Sequence, residues 1–220
     1  MAGTITALRL QKRNKDRVNV YLDGRFAFGL AAIAAANLRV GQTLSDEEIA
    51  RLQAKDDTER AYEHALNFLS YRPRSEAEVR RNLREKDAED EVIEAVIERL
   101  TRVGLLDDHA FARYWIENRL EFNPRGPRAL RQELRQKGVS DAVVAEALAG
   151  FDEEAVARRA ARAAVRRLAH LEPAEFRRRL ESYLARRGFS YAVIKPLVEE
   201  MLEAVCCGTL SNTGSEEQDG

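Results

Sequence analysis

The 220-residue chain carries 36 lysines and arginines against 37 aspartates and glutamates, for a net charge of −1, with 45% hydrophobic and 33% charged residues. That balance belongs to a soluble, helix-rich globular protein of one large or two small domains. It excludes a polycation that coats nucleic acid by net charge, so any phosphate contact must come from local clustering.

Residues 1–57 have a β-prone texture. Apolar residues alternate in Val18, Val20, Leu22 and again in Phe26, Phe28, Leu30, the period of a half-buried strand. Asp23-Gly24 between them is a hairpin signal, because Gly accepts the positive φ of a tight turn. With residues 5–10, these runs predict a three-stranded antiparallel sheet followed by a covering Ala-rich helix over 31–37. Ser45 and Glu48 form a capping box that opens a helix ending near Lys55. Three strands need such a cover to be stable.

The rest of the chain repeats itself. Val79, Leu83, Arg84, Lys86, Asp90, Val92, Ile93 and Ile97 recur, 51 positions on, as Leu130, Leu134, Arg135, Lys137, Asp141, Val143, Val144 and Leu148. A third copy follows at an offset of 50, with Leu180, Leu184, Arg187, Gly188, Ser190 and Val193 on Leu130, Leu134, Lys137, Gly138, Ser140 and Val143. A fixed period marks units that bury their apolar faces on one another. The fold class is therefore mostly α: a tandem array of three three-helix repeats over residues 58–106, 107–150 and 151–205, preceded by the β-rich segment. Residues 206–220 form a polar tail, disordered from 209 by composition.

Within repeat one, a helix starts near Thr58 and stops before Pro73, and Ser75 with Glu78 offers a second capping box. Asp107 or Asp108 caps the helix of Phe111, Tyr114, Trp115 and Phe122 in repeat two. Trp115 at helical spacing from Phe111 reads as core rather than as a base-stacking platform. Pro196 lies inside the last helix, where it removes one backbone hydrogen bond and should kink it.

Candidate catalytic chemistry is absent from the pattern. His64, His109 and His170 fall in three repeats without metal-ligand spacing, and no phosphate loop, nucleophile elbow or carboxylate pair occurs. The sequence predicts no enzyme, no metal and no cofactor. Adjacent Cys206 and Cys207 suit neither a disulfide framework nor a metal site and fit a reducing cytoplasm. No signal-peptide pattern occurs, and the apolar run 29–38 is too short to cross a bilayer. The turn Lys137-Gly138-Val139-Ser140 resembles a helix-turn-helix, but the helix after it has no basic residue to read bases.

Arginine clusters are the candidate contact surfaces. Arg158, Arg159, Arg162 and Arg166 share one helix face with no acid among them. Arg177 and Arg178 flank the next apolar stripe. Arg80, Arg81 and Arg84 have Glu76, Glu78 and Glu85 at pairing distance, and Arg128, Arg131 and Arg135 mark repeat two. Such clusters suit phosphate backbone or an acidic protein groove.

The linked set Arg72, Arg74, Ser75, Glu78, Leu83, Lys86, Gly104-Leu105-Leu106-Asp107-Asp108, Phe111-Ala112, Trp115, Arg119, Gly126, Leu134 and Lys137-Gly138 resembles the RecX family, regulators of the bacterial recombinase RecA. The resemblance covers residues 58–203, and the N-terminal hairpin is similar to the extension many members carry. Asp87 departs from it, standing where the first repeat often has Gly after Lys. The resemblance implies a curved array of three-helix repeats that binds in the groove of the RecA–DNA filament and suppresses ATP hydrolysis, strand exchange and repressor cleavage in repair and the SOS response. It implies a cytoplasmic, monomeric protein whose partner is the RecA nucleoprotein filament, with at most weak contact to free single- or double-stranded DNA and none to membrane. The alternative reading is an architectural DNA-binding protein that acts without RecA.

Overall fold

The alternating segments and the Asp23-Gly24 turn produce an antiparallel sheet at the N-terminus of the computed structural model, which describes residues 2–12 and 14–207. Strands β1 (Gly3–Leu10), β2 (Arg17–Leu22) and β3 (Arg25–Ala31) lead into the single-turn helix α1 (Ala32–Ala35) and a two-residue strand β4 (Thr43–Leu44). The order is β3-β2-β1-β4, so the expected three strands are four. β4 is too short to show a period of two. The Ala-rich helix is likewise shorter than expected. Asp23 and Gly24 both take positive φ, 47° and 82°, as a two-residue primed turn requires.

One alternation fails. The β2–β3 register shifts between Val20 and Tyr21, pairing Val20 with Phe28 but Tyr21 with Phe26. The extra residue turns Phe26 out to 59% exposure, where it meets Tyr21 edge-on at 6.0 Å. A one-residue bulge moves the following side chain to the other face. Ile5, Val18, Val20, Phe28, Leu30 and Leu44 stay inside, closed by Ile49 and Leu52.

Those two residues belong to α2 (Asp46–Ser70), opened by the Ser45–Glu48 capping box and continuous for 25 residues. The expected end near Lys55 and restart near Thr58 do not occur, and residues 57 and 58 lie inside the helix. Nothing there breaks it: no Gly or Pro intervenes, and the Thr58 hydroxyl donates back to the Ala54 carbonyl within the helix. Asp56, 4% exposed, ties mid-helix to the sheet. It accepts from Arg17 Nη2 at 2.6 Å and from the Ala31 N–H at 2.7 Å, the pairing a buried carboxylate needs.

The helices then follow as α3 (Glu76–Arg84), α4 (Asp90–Arg102), α5 (Asp108–Phe122), α6 (Pro127–Gln136), α7 (Asp141–Ala147), α8 (Glu153–Leu168), α9 (Pro173–Arg186) and α10 (Tyr191–Cys206). α10 runs through Pro196. The predicted tail lies outside the described residues from 208 onward. The chain divides into two compact units, Met1–Arg74 with Glu78–Leu106 and Ser75–Ala77 with Asp107–Gly220. In the first, Ala61, Ala65, Val79, Leu83, Ile93, Val96 and Leu100 make the repeat-one core. In the second, Phe111, Ile116, Leu130, Leu134 and Val144 make one core, and Ala157, Ala161, Ala164, Phe176, Leu180, Leu184, Ile194 and Val198 make another.

The turn after the second helix of each repeat closes identically. The N–H groups of Ala88, Val139 and Phe189 reach back to the carbonyls of Leu83, Leu134 and Leu184, and the residue before each has positive φ: Asp87 58°, Gly138 80°, Gly188 83°. This is the left-handed C-terminal cap that normally wants glycine.

Trp115 is half-buried at the edge of the repeat-two core rather than inside it. Its ring centroid lies 5.9 Å from that of Phe111, and Nε1 donates to Glu133 at 2.8 Å. The indole N–H needs a polar partner, so Ile116 takes the fully inward position instead. Phe122, at 78% exposure, lies outside the core. Ser75 is fully buried and donates to the Lys137 carbonyl, while Glu78 grips Arg72 through two hydrogen bonds.

Candidate functional site

The arginines singled out in the sequence separate into paired and unpaired ones once the helices pack. In repeat one, Arg80 on α3 forks onto Glu94 of α4 and holds that carboxyl below its usual range, chiefly by the hydrogen bond. Arg84 lies 3.4 Å from Asp90. Both of these partners stand on the third helix of the repeat, which presents its acids across the pair, beyond the same-helix neighbours Glu76, Glu78 and Glu85 that the sequence offers. Arg81 is exposed without an ion pair among the described residues.

On α6, Arg128, Arg131 and Arg135 recur at steps of three and four and share one face with Gln132 and Gln136 around a shallow hollow. Arg135 is engaged by Asp141; Arg128 and Arg131 make no ion pair among the described residues. Proline at the first turn of α6 fixes where this face begins.

On α8 the expectation of a face without acids is corrected. Arg158 is half-buried and its Nε and Nη2 hold Glu200 of α10 at 3.2 and 2.8 Å. The partner lies 42 residues away, beyond any spacing rule along one helix. The contact raises the Arg158 pKa and lowers that of Glu200, in both cases mainly through the hydrogen bonds. Arg159, Arg162 and Arg166 are exposed, with no hydrogen bond or ion pair among the described residues. On α9, Arg177 forks onto Glu199 at 3.0 Å, and Arg178 lies 3.7 Å from Glu175.

Packing also assembles arginines that no spacing rule groups. Arg167 from α8 and Arg178, Arg179 and Arg186 from α9 line one cleft of about 480 Å³. Arg167 sits about 180° around α8 from Arg158 at 100° per residue. A single-helix projection therefore puts it on the far edge, and only α9 shows what it faces. Among the described residues no group of three or more His, Cys, Asp or Glu is placed to hold a metal ion, and no helix is long and apolar enough to cross a membrane.

Models of four RecX domains match the chain in order: the RecX N-terminal domain over residues 3–45, then the first, second and third three-helix domains over 61–100, 107–148 and 152–198. The chain belongs to the RecX family. It is 35% identical over 202 residues to the regulatory protein RecX of Bacillus subtilis strain 168, covering 90% of this chain and 76% of that one. It is 33% identical to that of Bacillus licheniformis over 201 residues, covering 89% and 76%. A crystal structure of regulatory protein RecX superposes with a TM-score of 0.70 at 30% identity over 90% of this chain and 99% of that one. RecX from Lactobacillus salivarius gives 0.61 at 26% identity, covering 67% and 97%. The family's three-helix domains coincide with the three helical cores above, and its relatives carry the name of regulators rather than of enzymes.

Proposed function

We propose that this chain is a non-catalytic, cytoplasmic regulator of a RecA recombinase. It binds along the groove of the RecA–DNA filament as a monomer and suppresses ATP hydrolysis, strand exchange and repressor cleavage in recombinational repair and the SOS response. The observation that carries this reading is the match to RecX models in four consecutive segments. The unpaired arginines of α6 and α8 support it, since a mixed protein and phosphate surface attracts guanidinium groups that have no partner to give up.

The test is RecA ATPase on single-stranded DNA with this protein titrated in, beside its affinity for bare and RecA-coated DNA at physiological salt. Falling ATPase and preference for coated DNA are expected. Equal affinity for both, with ATPase unchanged, establishes the architectural DNA-binding reading instead.

A further inference from the structure

Four of the eight residues that line the cleft between α8 and α9 are arginines, and none is acidic. Arg167 enters from α8; Arg178, Arg179 and Arg186 enter from α9, with Ser182 and Tyr183 between them and Ala164 and Leu168 as the floor. Among the described residues a single carboxylate pairs with this group: Glu175 lies 2.7 Å from Arg179 and 3.7 Å from Arg178. Arg186 bonds the Ser182 hydroxyl, a neutral partner. Arg167 makes no hydrogen bond or ion pair among the described residues. Like charges gathered around one hollow repel, and a site of this kind is relieved by an anion.

We propose that this cleft binds the phosphodiester backbone of a nucleic-acid strand. The guanidinium groups present planar forks that match phosphate oxygens two at a time. Arg178 and Arg186 lie eight residues apart on one face of α9, about 12 Å along its axis at 1.5 Å per residue. That reach exceeds a single phosphate and suits a strand whose charges recur every ~3.4 Å of duplex axis. Exposed Arg159, Arg162 and Arg166 continue the positive stripe across α8 beyond the cleft, which a small anion would leave unused and a polyanion follows. The proposal deepens the filament reading by assigning this edge of repeat three to the nucleic acid rather than to the protein of the filament.

The experiment uses the full chain and fluorescein-labelled oligonucleotides, single-stranded and duplex, of mixed sequence, with anisotropy measured across a salt series. Arg167→Gln with Arg178→Gln removes two forks at positions that support no core, and circular dichroism confirms that it folds. The expected result is an affinity loss of at least about tenfold on both probes. The salt slope should shrink by about 1.8 on duplex, near 0.9 for each phosphate no longer neutralised. Arg167→Lys with Arg178→Lys should keep most of the slope while losing part of the affinity, because charge survives and the fork does not. Unchanged affinity and slope in the Gln variant overturn the proposal, as does a native chain that binds neither oligonucleotide. Loss of RecA ATPase inhibition with oligonucleotide binding intact also overturns it and assigns the cleft to an acidic protein surface. Cleft-dependent oligonucleotide binding by a native chain that leaves RecA ATPase untouched keeps this site and refutes the RecA reading.

Discussion

Arg158 of α8 grips Glu200 of α10 through two hydrogen bonds, 3.2 and 2.8 Å long, and this bridge separates Arg158 from its neighbours Arg159 and Arg162. A charge reversal at Arg158 would set two carboxylates against each other at the α8–α10 seam. Arg159→Glu with Arg166→Glu avoids that, since both side chains are exposed, make no ion pair among the described residues and, unlike Arg162, do not act on the Glu200 carboxylate. Thermal denaturation of this double variant should stay within the range usual for surface changes, about 0.5 kcal/mol per site. Its inhibition of RecA ATPase should fall, most steeply at low salt. Undiminished inhibition moves the contact surface to Arg128 and Arg131 on α6.

Gly126 and Gly188 touch backbone to backbone. The Gly126 N–H donates to the Arg187 carbonyl at 2.9 Å, and a Cβ on Gly126 would stand 2.4 Å from the Gly188 oxygen. Gly126→Ala should destabilise the second unit by about 1–3 kcal/mol through overpacking against main chain that cannot rotate away. Gly150→Ala is the control, because a Cβ there meets nothing within 4 Å and only the positive φ is charged, about 1 kcal/mol. Equal melting temperatures for the two variants would show that the joint yields.

Asp87 holds the left-handed cap position, φ 58°, that its counterparts Gly138 and Gly188 fill without a Cβ. The side chain is exposed, so nothing is lost with it. Asp87→Gly should raise the stability of repeat one by about 0.5–1 kcal/mol, the left-handed penalty less the entropy glycine brings to the unfolded chain. Urea denaturation checks this, and a lower midpoint would reveal a role for the carboxylate.

Asp107 and Asp108 sit side by side but cap different helices. Asp107 accepts from His109 and Ala110 at the start of α5, and Asp108 accepts from the Glu76 N–H at 2.9 Å. Burial pushes the Asp108 carboxyl above its usual pKa, outweighing that hydrogen bond. A raised carboxyl contributes stability that is complete below its unfolded value, about 3.9, and is lost as pH rises through the folded value. Asp108→Asn keeps an acceptor for Glu76 and never ionises. Its melting temperature should exceed the native one at pH 7, and the gap should close toward pH 3–4. A constant gap, or one that widens on acidification, would contradict the assignment.

Trp115 is anchored at both ends of its ring system: the rings of Phe111 and Trp115 pack together and Nε1 bonds Glu133, which also takes Arg119 Nε at 2.7 Å. Being half-buried, it should cost about 2–3 kcal/mol on Trp115→Ala, below the ~3–5 kcal/mol of a fully enclosed aromatic. Trp115→Phe should cost about 1–2 kcal/mol, from the lost indole hydrogen bond and the smaller ring. Chemical denaturation followed by circular dichroism distinguishes the two.

Local chemistry decided a large part of this fold. The hairpin at Asp23-Gly24, the Ser45–Glu48 cap, the repeat of Leu83 in Leu134 and Leu184, and the departure at Asp87 all depend on residues within one helix turn or one strand pair, where spacing is geometry. The family resemblance rests on the same kind of residue. Tertiary structure decided what no local rule reaches. The bulge at Val20–Tyr21 reversed Phe26, and Asp56 found Arg17 39 residues away, so α2 ran on through an expected break. Arg158 lost its freedom to Glu200 on another helix, while Arg167 gained significance from α9. A helix projection fixes the angle of each side chain about its own axis. Which charge is neutralised and which is left for a partner depends on the element that packs opposite, and for Arg158 that partner is 42 residues away.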